Sequence, residues 1–244
     1  MKSYKEVVVN RYDMQVAEDF NSKTTLRWMP SQLKLCTALA EVLKKIDGEK
    51  CSLADARILE VGCGDGRWTR FISEITHKPE LITGTDLSRN RIELARRMNP
   101  SINYDVADIV EESIEGTFDI ILAFDVFMHL PTEAMIRTAL NNIHESLSND
   151  GVFIFFDAWA HSHSNPVANA DSWGFNPKEI TKLVESQGFT KLFRRDVFRL
   201  FPRGKHSERY YGVVPSWLLS TSEALCPTPP GNYFVVFGKE VEKK

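Results

Sequence analysis

Three glycines at positions 62, 64 and 66 follow the apolar run Ile58-Leu-Glu-Val61 and precede Arg67 in this 244-residue chain. Glycine lets a backbone approach a ligand closely. Amides at the start of a following helix would face a carboxylate or phosphate. A second acid, Asp86, stands 24 residues after Gly62 in Thr85-Asp86-Leu87. At a strand end such a carboxylate can accept both hydroxyls of a ribose. A third acid lies in Val106-Ala107-Asp108-Ile109, and Asp125 and His129 follow the apolar run Phe118–Phe124. A histidine titrates near neutrality, which suits proton removal from a reacting hydroxyl or amine. Asp157-Ala-Trp159-Ala-His161-Ser-His163 follows another apolar run, Val152–Phe156.

The elements that must position these residues alternate along the chain. Arg57–Val61, Leu81–Thr85, Asn103–Val106, Phe118–Phe124 and Val152–Phe156 read as strands. Between them, Trp68–Ile75, Ser88–Met98 with Ser88 as N-cap, and a helix from Pro131 to about Leu147 read as helices, with Asn149-Asp150-Gly151 as a turn. Pro177–Gln187 continues the pattern as a helix closed by Gly188, and Lys191–Phe201 and Tyr233–Phe237 are expected to pair antiparallel at one sheet edge. Ser31–Ile46 has apolar residues at helical spacing ahead of the first strand. Strands alternating with helices at this spacing argue for crossover units and a parallel sheet.

Composition narrows the class. Apolar residues make up 43% and charged residues 26%, and the formal net charge of −3 gives no global reason to expect nucleic acid. The four cysteines, Cys36, Cys51, Cys63 and Cys226, form no C-x-x-C pair, which argues against a disulfide framework or a structural zinc site. The longest uninterrupted apolar runs are far shorter than the ~20 residues of a membrane span. A protein of the cytoplasm is expected.

The glycine spacing separates two readings of the turn. A dinucleotide fingerprint, G-x-G-x-x-G, would need glycine where the chain has Arg67. The string Glu60-x-Gly62-x-Gly64-x-Gly66 instead resembles motif I of class I S-adenosylmethionine-dependent methyltransferases, and the runs around Asp86, Asp108 and Phe118–Leu130 are similar to later motifs of that family in order and spacing. The likeness covers residues 57 to 157 well and the last two strands loosely. It implies an α/β, three-layer α-β-α Rossmann-like fold with a seven-stranded, mostly parallel sheet and one antiparallel strand. It implies S-adenosyl-L-methionine as cofactor. Glu60 would help bind the methionyl amine, and Gly62, Gly64 and Gly66 would form the turn around the methionine moiety. Asp86 would hold the ribose and Leu87 would pack on adenine. Asp108 would accept from the adenine amino group, beside Ala107 and Ile109, with Phe124 also at the cofactor. His129 is the candidate base, and Asp125 would contact cofactor or substrate. Some relatives bind a divalent metal through E-x-x-E-H here, but Met128 stands in place of the middle carboxylate, so no metal is expected.

Six Lys or Arg residues lie between Arg194 and Arg209, interleaved with aromatics. They read either as a charged strand edge that discourages aggregation or as a pocket for an anionic, ring-containing substrate. With Asp157, Trp159, His161, Arg199, Tyr210 and Tyr211 as substrate candidates, the expectation is methylation of a hydroxyl on a polar small molecule such as a sugar, a sugar phosphate or a glycan end. N-methylation of a small metabolite and a non-catalytic binding module are the alternatives. Residues 1–50 would form a helical lid, and 51–244 the catalytic domain with 202–231 inserted on the substrate side.

Overall fold

The computed structural model describes residues 3–10, 13, 29–157, 165–166, 173–198, 218 and 232–240. Residues 4–10 are helical (α1), and α2 spans Met29–Ile46. Then β1 (Ile58–Val61), α3 (Arg67–Thr76), β2 (Ile82–Asp86), α4 (Arg89–Met98), β3 (Asn103–Val106) and β4 (Phe118–Phe124) follow. After a 3₁₀ turn at Phe127–His129 come α5 (Glu133–Ser146), β5 (Leu147–Phe156), a short pair β6 (Asn165–Pro166) and β7 (Trp173–Gly174), α6 (Pro177–Glu185), β8 (Phe189–Phe198) and β9 (Asn232–Lys239).

Seven strands form one sheet in the order β3-β2-β1-β4-β5-β9-β8. β1 pairs parallel with β2 and β4, and β2 with β3 and β4 with β5 are also parallel. β9 is antiparallel to both neighbours, Val152↔Gly238 on one side and Phe189↔Lys239 on the other. The one reversed strand is therefore inserted between β5 and the edge strand β8, as the expected antiparallel pair requires. The chain winds outward from β1 to β3 and then returns to the other side of β1 with β4. That reversal opens a crevice at the carboxyl ends of β1 and β4.

Both faces of the sheet are covered, which explains why its strands read as continuous apolar runs. Ile120, Leu122 and Phe124 of β4, with Val152, Ile154 and Phe156 of β5, share one core with the apolar faces of α2, α3 and α4. Ile121, Ala123, Phe153 and Phe155 pack on the other side against α5 and α6. Full burial of each such side chain contributes about 1.5–3 kcal/mol.

Two local expectations need correction. Pro131 lies before the α5 cap and not inside its first turn: Thr132 is the N-cap, its hydroxyl accepting from the Met135 amide at 3.3 Å. Residues 149–151 belong to the β5 strand. Its pairing with β4 jumps from Phe118↔Leu147 to Ile120↔Val152, so extra residues bulge out of the ladder instead of turning the chain. α2 is a core helix, with Leu35, Leu39, Val42, Leu43 and Ile46 almost wholly buried.

Candidate active site

A cavity of about 410 Å³ opens at the carboxyl ends of β1, β2 and β4. Its floor is the turn after β1. Gly62 and Gly64 have φ of 68° and 57°, in the left-handed region that favours glycine. A side chain at Gly62 would meet Val126 Cγ2 at 2.5 Å, and one at Gly64 would crowd the Arg91 guanidinium at 3.0 Å. Gly66 also has positive φ (77°) but does not line the cavity; it is the residue before α3, where a Cβ would drive into the Tyr104 ring. Its glycine serves packing.

Glu60 is only 1% exposed, and its Oε2 has no hydrogen-bond partner. Burial pushes its carboxyl well above the usual carboxylate range, the Thr69 backbone amide opposing and the charges of Asp65 and Asp86 adding to the rise. A buried, unpartnered acceptor on a cavity wall is costly unless a donor arrives. A cationic ligand amine fits it.

Asp86 ends β2 with both oxygens held by backbone amides. Gly64 N donates to Oδ2 at 2.9 Å and Ser88 N to Oδ1 at 2.8 Å. Burial raises its carboxyl, against the pull of these amides and of Arg91. Each carboxylate oxygen can accept a further hydrogen bond, so two ligand hydroxyls can still be accommodated. Leu87, Ala107, Ile109 and Phe124 also line the cavity. The Phe124 ring stacks on Trp68 at 4.9 Å between centroids, which makes a rigid aromatic wall.

Asp108 lines the same cavity, but its carboxylate is turned to α1. The Tyr4 hydroxyl donates to Oδ1 and Oδ2 at 3.0 and 2.9 Å, Lys5 Nζ lies 2.6 Å from Oδ2, and the Val110 amide donates to Oδ1 at 2.8 Å. Burial alone would raise this carboxyl; Lys5, the Val110 amide and Tyr4 together bring it below its ordinary value.

Asp125 and His129 also line the cavity. Asp125 has φ of 52°, an unusual conformation for a residue with a side chain, and its amide donates to Phe156 O at 2.9 Å. His129 closes the 3₁₀ turn and its amide donates to Val126 O at 3.0 Å. Asp157, expected to touch substrate, is 1% exposed and does not line the cavity. Its Oδ2 accepts from the Met128 amide at 3.1 Å, beneath the turn that carries His129. Among the described residues no cluster of His, Cys, Asp and Glu could hold a metal ion.

The remaining substrate candidates, Trp159, His161, Arg199, Tyr210 and Tyr211, lie outside the described residues, as does the 202–231 segment apart from Leu218. Where the basic stretch is described, it has local partners away from the cavity. Arg194 lies over the Tyr233 ring and 3.3 Å from Asp196, and Arg195 pairs with Glu41 of α2. Tyr4, Val8 and Gln32 line the cavity without having been singled out in the sequence. The buried, unpartnered Gln32 Oε1 is a second acceptor on that wall. No motif marks these residues, because they reach the site only through the packing of α1 and α2.

Residues 59–153 match the model of a family described as "Methyltransferase domain". Among curated proteins, the chain is 30% identical over 131 residues to a malonyl-[acyl-carrier protein] O-methyltransferase of Bacillus cereus, a match covering 53% of this chain and 46% of that protein. The chain thus spans about half the length of that relative. It is 24% identical over 227 residues to a ubiquinone biosynthesis O-methyltransferase of Bordetella parapertussis, covering 90% of this chain and 82% of the relative. Among solved structures, magnesium protoporphyrin IX methyltransferase of Synechocystis with bound SAM superposes with a TM-score of 0.67 at 11% identity, over 98% of both chains. At that identity the likeness is one of fold.

Proposed function

We propose, for a chain whose residues 59–153 match the model of a methyltransferase domain, that it transfers a methyl group from S-adenosyl-L-methionine to an oxygen of a polar small molecule. The observation that carries the cofactor reading is the buried Glu60 carboxylate, with an oxygen that has no partner, on the wall of the cavity that Gly62, Gly64 and Asp86 also line.

When bound, S-adenosylmethionine supplies an electrophilic methyl on a sulfonium, so the protein's task is alignment more than activation. Glu60 would accept from the ligand's ammonium, ending its own unpaired burial. Gly62 and Gly64 leave room for backbone approach to the methionine moiety. Asp86 would accept two ribose hydroxyls on the positions left by the Gly64 and Ser88 amides, while Leu87, Ala107 and Ile109 border the adenine. Phe124, stacked on Trp68, would hold the methyl-donating end away from water.

His129, also on the cavity lining, would take the proton from the acceptor hydroxyl as its oxygen bonds the methyl carbon and the carbon–sulfur bond breaks, the electron pair leaving with sulfur as the neutral thioether, a contribution of roughly 10²–10⁴-fold. Asp157 would act through the Met128 amide, as a positioning residue for the histidine's turn. Asp125 would orient the acceptor beside it. Oxygen as the acceptor atom is supported by this base and by the O-methyltransferase names of the two curated relatives. A sugar, a sugar phosphate or a glycan end stays the substrate class to test first.

Calorimetric titration with S-adenosylmethionine, S-adenosylhomocysteine and NAD tests the cofactor. The first two should bind at micromolar level, NAD should not, and Asp86→Ala should weaken both by at least about tenfold. Failure of either adenosyl ligand to bind would sink the reading. Transfer of labelled methyl to hydroxyl-bearing acceptors, set against amine analogues, then separates O- from N-methylation.

A further inference from the structure

The first turn of α4 holds a cation where helix electrostatics would place an acid. Ser88 is the N-cap, and its hydroxyl accepts from the Arg91 amide at 3.2 Å. Three residues after such a cap, Glu or Gln is the residue that completes a capping box. The positive end of the helix dipole also disfavours a cation there. The chain has Arg91 at that position and no acid in the turn. Arg89, in the same turn, is exposed, whereas Arg91 is half-buried and lines the cavity. Its unfavourable place on the helix is offset on the cavity side.

The offset lies at the glycine turn. A side chain at Gly64 would meet the Arg91 guanidinium, with Nη1 at 3.0 Å, Cζ at 3.1 Å and Nη2 at 3.5 Å. With Cζ almost as near as Nη1, the flat face of the guanidinium covers Gly64. Gly64 is thus the seat of Arg91 as well as part of the cavity floor. Its amide donates to Asp86 Oδ2 at 2.9 Å, so carboxylate and guanidinium meet the cavity side by side. Burial raises the Asp86 carboxyl most, and the Ser88 amide and then the Arg91 charge oppose the rise.

An acceptor and a cationic donor side by side suit one kind of ligand group. A hydroxyl gives one proton and can take another. Its own proton can go to the carboxylate while a lone pair accepts from the guanidinium, and both hydrogen bonds are charge-assisted. A carboxylate alone asks only for a donor, so an ammonium would satisfy it as well. The pair asks for a group that donates and accepts at once.

We propose that Arg91 is a specificity-determining residue of the cofactor site: its guanidinium, seated on Gly64, donates to a ribose hydroxyl whose own proton goes to Asp86. The inference rests on the cofactor reading above. Asp86 holds the ribose, and Arg91 adds the demand that the held group have a lone pair to offer.

S-adenosylhomocysteine and its 2′-deoxy and 3′-deoxy analogues are titrated by calorimetry into the full chain, as wild type, Arg91→Met and Arg91→Lys. Arg91→Met should weaken S-adenosylhomocysteine roughly tenfold. The analogue lacking the hydroxyl that Arg91 reads should change by less than about twofold, because that partner is already gone. Arg91→Lys keeps the charge but not the fork, and should show the same asymmetry at roughly threefold. It carries the test if circular dichroism shows that Arg91→Met does not fold. Equal weakening of all three ligands in a folded variant would assign Arg91 to the fold and overturn the proposal. So would an unchanged affinity of Arg91→Met for S-adenosylhomocysteine. Binding of none of the three ligands to wild type would reject the cofactor reading, and this inference with it. Tight binding with a uniform loss rejects this inference alone.

Discussion

At the scale of single residues, the site sets stability against binding. Glu60 is held where its charge is costly, and the sign of its pH dependence follows from the raised carboxyl. A folded-state value above the unfolded one means the folded chain favours the protonated form. Its contribution is complete below the usual carboxylate range and is lost as pH rises through the raised value. Glu60→Gln should therefore stabilise the ligand-free chain at about pH 8, with the gain shrinking toward about pH 5, while weakening S-adenosylmethionine by at least about tenfold. Thermal melts at the two pH values and one titration check both halves. A variant less stable than wild type at the higher pH would contradict the assignment. For His129, alanine should lower kcat by about 10²–10⁴-fold with S-adenosylhomocysteine affinity held within about twofold. Asp157→Asn, at a carboxylate that accepts from the Met128 amide, should cost less than His129→Ala in a kcat assay on the same acceptor.

At the scale of elements, the turn between β1 and α3 asks different things of its glycines. Gly62 and Gly64 keep the cavity floor open, but Gly66 makes room for Tyr104 under the helix start. Gly66→Ala combines left-handed strain with overpacking against a ring and should cost about 2–4 kcal/mol, measured by denaturant melts. The turn itself was legible because the glycines come directly after a strand and before a helix. The strands were legible because sheets covered on both faces leave unbroken apolar runs such as Ile120–Phe124. Asp157 ends a strand, where an acid ordinarily faces the crevice, and here its carboxylate accepts from the Met128 amide of the Phe127–His129 segment. Tyr4 and Gln32 were invisible because nothing local marks a residue that reaches a site across more than 25 positions of chain. Asp108 was legible as an acid of the site, but its partners on α1 were not.

At the scale of the molecule, the sheet depends on a strand supplied late. β9 lies between β5 and β8, and Phe234, Val235, Val236 and Phe237 are almost wholly buried, feeding both cores at once. Val236→Asp would bury an unpaired carboxylate at the centre of that strand and should cost more than about 4 kcal/mol. Loss of the cooperative thermal transition by circular dichroism is the expected result; a folded variant with a modest shift would contradict it. The position of β9 also bears on the order of events during synthesis. Until residues 232–239 have left the ribosome, β5 presents an unpaired, strongly apolar edge and β8 has no sheet to join. The nascent chain can assemble β1 to β5 early, yet it must wait with that edge exposed, and this interval is when chaperone binding or strand-to-strand aggregation would compete with folding.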